Sequence, residues 1–162
     1  MLKIFEKGLP YPSFVALLRI ALGVVFIAAS MDKIMNPQNF AVNIANYRLI
    51  PYQWINLAAI ILPWIEITTG SLLVMGIWTG TNALLGSGML VVFSIAILQA
   101  LFRNLDISCG CFSTDPGAQK MTRWTFFWNL IWLSWGLAVV FLDRGRFSLM
   151  EMIDKTRRKE AA

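Results

Sequence analysis

Four long apolar stretches constrain the fold of this chain more than any other feature of its sequence. A helix needs about 20 apolar residues to cross the hydrocarbon core of a bilayer. The four stretches run from Ser13 to Ile34, from Trp54 to Met75, from Gly80 to Phe102 and from Trp124 to Leu142. Charged residues make up only 14% of the 162 residues, against about 25% in soluble domains. The sequence therefore predicts an all-α membrane protein, a four-transmembrane-helix bundle in the lipid bilayer.

A shorter helix is predicted between the first two spans. Phe40, Ile44 and Tyr47 follow one another at steps of four and three residues, which places them on one helix face. Asn36 is a suitable N-cap residue, and Pro37 suits the first helical position. We expect a short amphipathic helix that lies on the outer membrane surface.

Positive charges predict the orientation of the spans. Four spans put both termini on one side, where eight Lys and Arg residues lie, against five on the other side when the intramembrane Arg19 is set aside. The positive-inside rule then predicts cytoplasmic termini and a connection between the last two spans that faces the periplasm or exterior. We divide the chain into a membrane domain, residues 1–142, and a basic cytoplasmic tail, residues 143–162. The basic residues lie next to the membrane, so nucleic-acid binding is not expected.

The two cysteines, Cys109 and Cys111, lie one residue apart in that polar connection. A disulfide between them closes a very small ring, and strained disulfides tend to be redox-active. Gly110 allows the sharp bend that both sulfurs need, and Phe112 can shield the pair or contact a partner. A structural disulfide is the alternative, although so short a loop hardly constrains the unfolded chain. A metal site is not expected, because the chain has no histidine and two thiolates do not complete a tetrahedral site.

Polar and small residues form a seam along each of the first two spans, at helical steps of three and four. The seam of the first span contains Arg19, Gly23, Phe26, Ser30 and Lys33, and that of the second contains Ala59, Pro63, Glu66, Gly70 and Leu73. Such faces are expected to pack against neighbouring helices, because small residues let backbones approach closely.

Arg19 and Glu66 are the charges deepest in these seams. Counted from the cytoplasmic ends of their helices, both lie at similar depth, so we expect them to form an intramembrane ion pair. One interpretation is a structural pair that fixes helix packing. The other is a proton relay or a quinone headgroup site.

Three motifs resemble the DoxX/MauE family of redox-associated membrane proteins. The first-helix motif reads Arg19-x3-Gly23-x2-Phe26-x3-Ser30-x2-Lys33-x3-Pro37. The other two motifs are Glu66-x3-Gly70 and Cys109-Gly110-Cys111-Phe112, and both are similar to the MauE branch.

The resemblance implies a four-span inner-membrane protein that exchanges disulfides with a periplasmic thioredoxin-like partner, with quinone as a candidate acceptor. It also implies a link to the maturation of methylamine dehydrogenase. Vitamin K epoxide reductases, which pass thiol electrons to quinone, use two cysteine pairs, whereas this chain has one. The alternatives are a non-catalytic anchor subunit of a DoxX-type quinone-linked complex and a small-molecule carrier.

Overall fold

The computed structural model describes residues 12–105, 107, 114 and 122–143. Within these residues all regular structure is helical. The helices are α1 (Pro12–Met35), α2 (Pro37–Tyr47), α3 (Tyr52–Met75), α4 (Thr79–Phe102) and α5 (Arg123–Leu142). Four of them, α1, α3, α4 and α5, are long and apolar enough to cross a membrane. The predicted four-helix membrane bundle is confirmed, and the helix bounds differ from the predicted ones by no more than two residues.

The helices pack as two closely associated pairs. α1 makes its most extensive contact with α3, and α4 makes its most extensive contact with α5. Gly23 and Gly70 meet where α1 crosses α3, and a Cβ atom added to either would lie 2.7 Å from the carbonyl oxygen of the other. The backbones of the two helices are therefore in direct contact, as the small residues of the two seams predict.

A small apolar core joins the two pairs. Phe26 of α1 places its ring against Gly86 of α4, and Ser87 faces Gly136 of α5. The fully or largely buried apolar side chains of this core are Leu22, Phe26, Leu73, Ala83, Leu90 and Val139. Large apolar side chains on the outer faces are exposed, Trp124 and Trp128 among them. Such a surface is stable where lipid, rather than water, surrounds it.

The short helix α2 lies between the first two spans, as predicted, and its buried face differs in part from the prediction. Phe40 and Tyr47 are buried as expected, Ile44 is half-buried, and the polar Asn43 is buried between them. Asn36 is the N-cap residue, but its side chain donates a hydrogen bond to Asp32 of α1 at 3.1 Å instead of capping the helix. α2 is thus attached to the end of α1 by a polar contact.

Candidate functional site

Both predicted seams face the interior of the bundle. Every member of the first seam is buried, including Ser30, which is fully enclosed and bonds to the carbonyl oxygen of Ile27 at 2.8 Å. Every member of the second seam is buried as well. The helical spacing therefore identified the interior face of each helix correctly.

Lys33 and Glu66 form the central contact of the site. The Nζ atom of Lys33 lies 2.8 Å from Oε1 and 2.7 Å from Oε2 of Glu66. Each residue is only 2% exposed. A charge buried at membrane depth costs several kcal/mol unless it is paired, and here each charge neutralises the other.

Two aromatic rings complete the surroundings of the lysine. The Nζ atom of Lys33 lies 5.2 Å from the ring centre of Phe40 in α2 and 5.1 Å from that of Phe93 in α4. Rings at these distances attract a cation through the negative charge of their faces. The ammonium group therefore joins α1 to α3 by an ion pair and to α2 and α4 by cation–π contacts.

The structure corrects the expected pairing of Arg19 with Glu66. α1 and α3 run antiparallel, and the contact of Gly23 with Gly70 sets their register. Glu66 precedes Gly70 by four residues, so it lies at the level of Ile27, eight residues beyond Arg19. Eight residues of helix correspond to about 12 Å, which is too far for an ion pair. Counting from predicted helix ends did not detect this offset.

Arg19 instead pairs with the end of the last helix. Its Nη1 atom lies 3.3 Å from Oδ2 of Asp143, and the two side chains are 1% and 3% exposed. The partner of Glu66 is Lys33, whose long side chain extends back toward the N-terminus of α1, as helical side chains do. Among the described residues, these two buried ion pairs lie at different levels of the bundle.

A small cavity lies beside the Lys33–Glu66 pair. It has a volume of about 60 Å³ and is lined by residues of α1, α3, α4 and α5. Most of its wall is apolar and includes the aromatic side chains of Phe93 and Trp132, whereas Asn129 and the ion pair supply polar groups. The volume is enough for about two water molecules.

Asn129 of α5 and Ser94 of α4 connect these two helices. The Nδ2 atom of Asn129 donates to Oγ of Ser94 at 2.7 Å and to the carbonyl oxygen of Leu90 at 3.1 Å. These two bonds join α5 to α4. Asn82 donates to the carbonyl oxygens of Ile77 and Trp78 in the turn before α4.

Thr114 ties the connection between α4 and α5 to the outer end of α1, the end opposite the chain termini. Its backbone N–H donates to Oδ2 of Asp32 at 2.5 Å, and its carbonyl oxygen accepts from Nδ2 of Asn43 at 3.3 Å. The residue is 1% exposed. Asp32 precedes Lys33 in the sequence. One turn of α1 therefore carries both the carboxylate that binds Thr114 and the lysine that pairs with Glu66.

The other side of this connection also packs on the helices. Ile107 and Leu105 contact a cluster formed by Tyr47 of α2 and by Ala96 and Ala100 of α4. Burial raises the pKa of the Tyr47 phenol above its usual value, so that this side chain is uncharged at physiological pH.

The predicted redox residues Cys109, Gly110, Cys111 and Phe112 lie outside the described residues. Their assignment as the reactive site stays a prediction. The described positions nearest to them on either side are Ile107 and Thr114, both of which contact other elements.

Sequence reasoning missed Asp32, Asn43 and Asp143. A signal existed for each of the aspartates, because a carboxylate at the C-terminal end of a helix opposes the helix dipole and needs a donor from elsewhere. Asn43 lies three residues after Phe40 and four before Tyr47, which puts it on the predicted inner face of α2. A buried amide at such a position requires a hydrogen-bond partner.

This fold and site define a multi-pass helical membrane protein with a lysine–glutamate pair buried inside its bundle. Residues 11–142 match the family model for the methylamine utilisation protein MauE. The chain belongs to the MauE family.

Two MauE relatives are similar over most of this chain. The methylamine utilization protein MauE of Paracoccus denitrificans is 28% identical over 124 residues, which are 75% of this chain and 66% of the relative. That of Methylorubrum extorquens is 30% identical over 129 residues, which are 79% of this chain and 66% of the relative. The chain thus spans slightly less than two thirds of the length of either relative. No solved structure matches the chain.

Proposed function

We propose that this chain is a thiol–disulfide oxidoreductase of the bacterial inner membrane that acts through Cys109 and Cys111. The observation that carries the proposal is the attachment of Thr114 to Asp32. Thr114 follows Cys111 by three residues, and three residues of extended chain span at most about 11 Å. Thr114 is held beside the outer end of α1, where Asp32 precedes the buried Lys33 in the sequence, and the chain length between Thr114 and Cys111 keeps the proposed reactive site close to that end.

The reaction begins with a reduced partner, a periplasmic thioredoxin-like protein. A thiolate of the partner attacks one sulfur of the Cys109–Cys111 disulfide and forms a mixed disulfide. The second thiol of the partner then breaks that bond, so the partner leaves oxidised and the two cysteines are left as thiols. Two electrons and two protons have then moved from the partner to this chain.

A membrane quinone is the proposed acceptor of these electrons. Oxidation of the two cysteines back to the disulfide releases two electrons and two protons, which convert one quinone to one quinol. The cavity beside Lys33 and Glu66 supports this assignment, because its apolar and aromatic wall suits a lipid-soluble ring and its polar groups suit a ring oxygen. The volume of about 60 Å³ admits the oxygen-bearing edge of a ring, and Phe93 and Trp132 in the lining offer aromatic surfaces to the rest of it.

The relatives suggest a cellular process. Both are named methylamine utilization proteins. We propose the same process for this chain, in which the oxidised partner would introduce disulfides into methylamine dehydrogenase. The proposed orientation has cytoplasmic termini and a periplasmic cysteine connection, which puts the cysteines on the oxidising side of the membrane.

A redox titration of the cysteine pair in isolated membranes tests the proposal. Membranes are equilibrated in glutathione or dithiothreitol buffers of graded potential, and free thiols are alkylated with a reagent that changes the gel mobility. We expect a reversible two-electron couple within the range of thioredoxin-like proteins, about −270 to −120 mV. The variant Cys109→Ser should show one thiol at every potential, and added quinone should reoxidise only the wild-type chain.

A pair that stays oxidised under all but harsh reduction would contradict the proposal. The disulfide would then be structural, and the chain would be a non-catalytic membrane anchor, like the DoxX subunit of a quinone-linked redox complex. A thioredoxin-like gene next to the gene for this chain would favour the oxidoreductase, because only the oxidoreductase depends on such a partner.

A further inference from the structure

Three residues from three separate elements meet at the outer end of the bundle. Asp32 lies in the last turn of α1, Asn43 lies on the buried face of α2, and Thr114 lies between α4 and α5. In the sequence, Asp32 lies 82 positions before Thr114, and Asn43 lies 71 positions before it. Two side chains of the helices thus bind both backbone groups of one residue in the connection.

The two hydrogen bonds differ in kind. The bond from the Thr114 N–H to the Asp32 carboxylate is 2.5 Å long and is assisted by the negative charge, which makes it short and strong. The bond from Asn43 to the Thr114 carbonyl is a neutral one at 3.3 Å, but it is buried, where losing a partner is expensive. Together they fix the position and the direction of this peptide unit relative to α1 and α2.

A purely structural role does not account for this arrangement equally well. The N–H of Thr114 could be satisfied by water if the residue were at the surface, as in most loops. Instead a carboxylate at the C-terminal end of α1, a position that the helix dipole disfavours, is used to hold it. The residue held in this way is three positions from one of the two cysteines.

We infer that Asp32 and Asn43 are positioning residues, which hold Thr114, three residues after Cys111, and thereby favour the reaction of the cysteine pair with a protein partner. The inference rests on the proposed function. A large partner must dock before its thiolate can attack, so its reaction depends on where the disulfide lies. A small thiol such as dithiothreitol reaches the sulfurs from many directions and does not depend on it.

The test compares two reductants on the same protein in nanodiscs. Purified reduced thioredoxin and dithiothreitol are each used to reduce the chain, and the ratio of the two second-order rate constants is measured. In Asp32→Ala the ratio should fall about tenfold or more, since small displacements of reacting groups slow oriented reactions by such factors. Asn43→Leu should lower the ratio in the same direction.

Two further variants separate positioning from folding. Asp32→Asn keeps an oxygen that accepts from the Thr114 N–H, so it should recover most of the wild-type ratio. Asn36→Ala is the matched control, because Asn36 bonds to the other oxygen, Oδ1, and leaves the bond of Oδ2 to Thr114 in place. Its ratio should equal that of the wild type.

An unchanged ratio in Asp32→Ala, with normal reduction of the wild-type chain, would overturn the positioning role and leave the proposed function standing. Failure of the wild-type chain to react with either reductant would overturn both. A loss of thermal stability in Asp32→Ala with an unchanged ratio would assign Asp32 a structural role and would also overturn the inference.

Discussion

Removing one member of the Lys33–Glu66 pair should destabilise the protein far more than removing both. In Lys33→Met the Glu66 carboxylate would stay buried and lose the contacts at 2.8 and 2.7 Å. It then remains charged without a partner or takes up a proton. A free glutamic acid has a pKa of about 4.3, and each pH unit corresponds to about 1.36 kcal/mol, so keeping the proton at pH 7 costs about 3.7 kcal/mol.

The protein adopts whichever state of Glu66, charged or protonated, costs less free energy. The cost of protonation is therefore the upper limit of the stability that the unpaired carboxylate can remove. It agrees with the range of about 3–5 kcal/mol for broken buried ion pairs. At pH 5 the same calculation gives a protonation cost of about 1 kcal/mol. The loss of stability in Lys33→Met should therefore become smaller as the pH falls. The double variant Lys33→Met/Glu66→Met carries no buried charge at this site and should be about as stable as the wild type.

Unfolding in mixed micelles of increasing dodecyl sulfate content, at pH 7 and at pH 5, measures these differences. Ile60→Met is a matched control, because Ile60 is 56% exposed on the outer face of α3 and its replacement should change little. The reasoning is refuted if Lys33→Met is as stable as the wild type at pH 7, or if the double variant is as unstable as the single one.

Three substitutions test the close packing of the helices by thermal unfolding in detergent. Gly23→Ala should lower the free energy of unfolding by about 1–3 kcal/mol, because its Cβ would lie 2.7 Å from the backbone oxygen of Gly70. Gly88→Ala is the control. A Cβ at Gly88 has no neighbouring atom within 4 Å, so this substitution should be neutral or slightly stabilising. Ser87→Ala should stabilise by about 1 kcal/mol, because the buried Ser87 hydroxyl has no hydrogen-bond partner among the described residues. Gly136→Ala should be destabilising alone, with its Cβ 2.5 Å from Oγ of Ser87, and tolerated in the Ser87→Ala background. Equal stability of Gly23→Ala and Gly88→Ala, or no rescue of Gly136→Ala, would contradict the packing described above.

Periodicity and length carried most of what the sequence could predict. An apolar stretch of about 20 residues defines a span whatever it packs against. Steps of three and four residues define one face of a helix, which is why both seams were located correctly. These properties belong to single helices and need no knowledge of the rest of the chain.

The partners of the charges could not be predicted in this way. Whether Glu66 meets Arg19 or Lys33 depends on the register of α1 against α3, which the contact between Gly23 and Gly70 sets. Helix ends counted from the sequence fix that register only to within a turn or two. The bonds of Thr114 to α1 and α2 were out of reach for a different reason, since they join positions that are far apart in the chain.

The ion pair between Arg19 and Asp143 has a consequence for the order of assembly during synthesis. The two residues are 124 positions apart, so Arg19 enters the membrane well before Asp143 has been added to the chain. Lys33 meets its partner much earlier, because Glu66 follows it by only 33 positions. The pair of α1 with α3 can therefore form before α5 has been inserted, whereas the contact between the first and last helices completes only when the final span is in place.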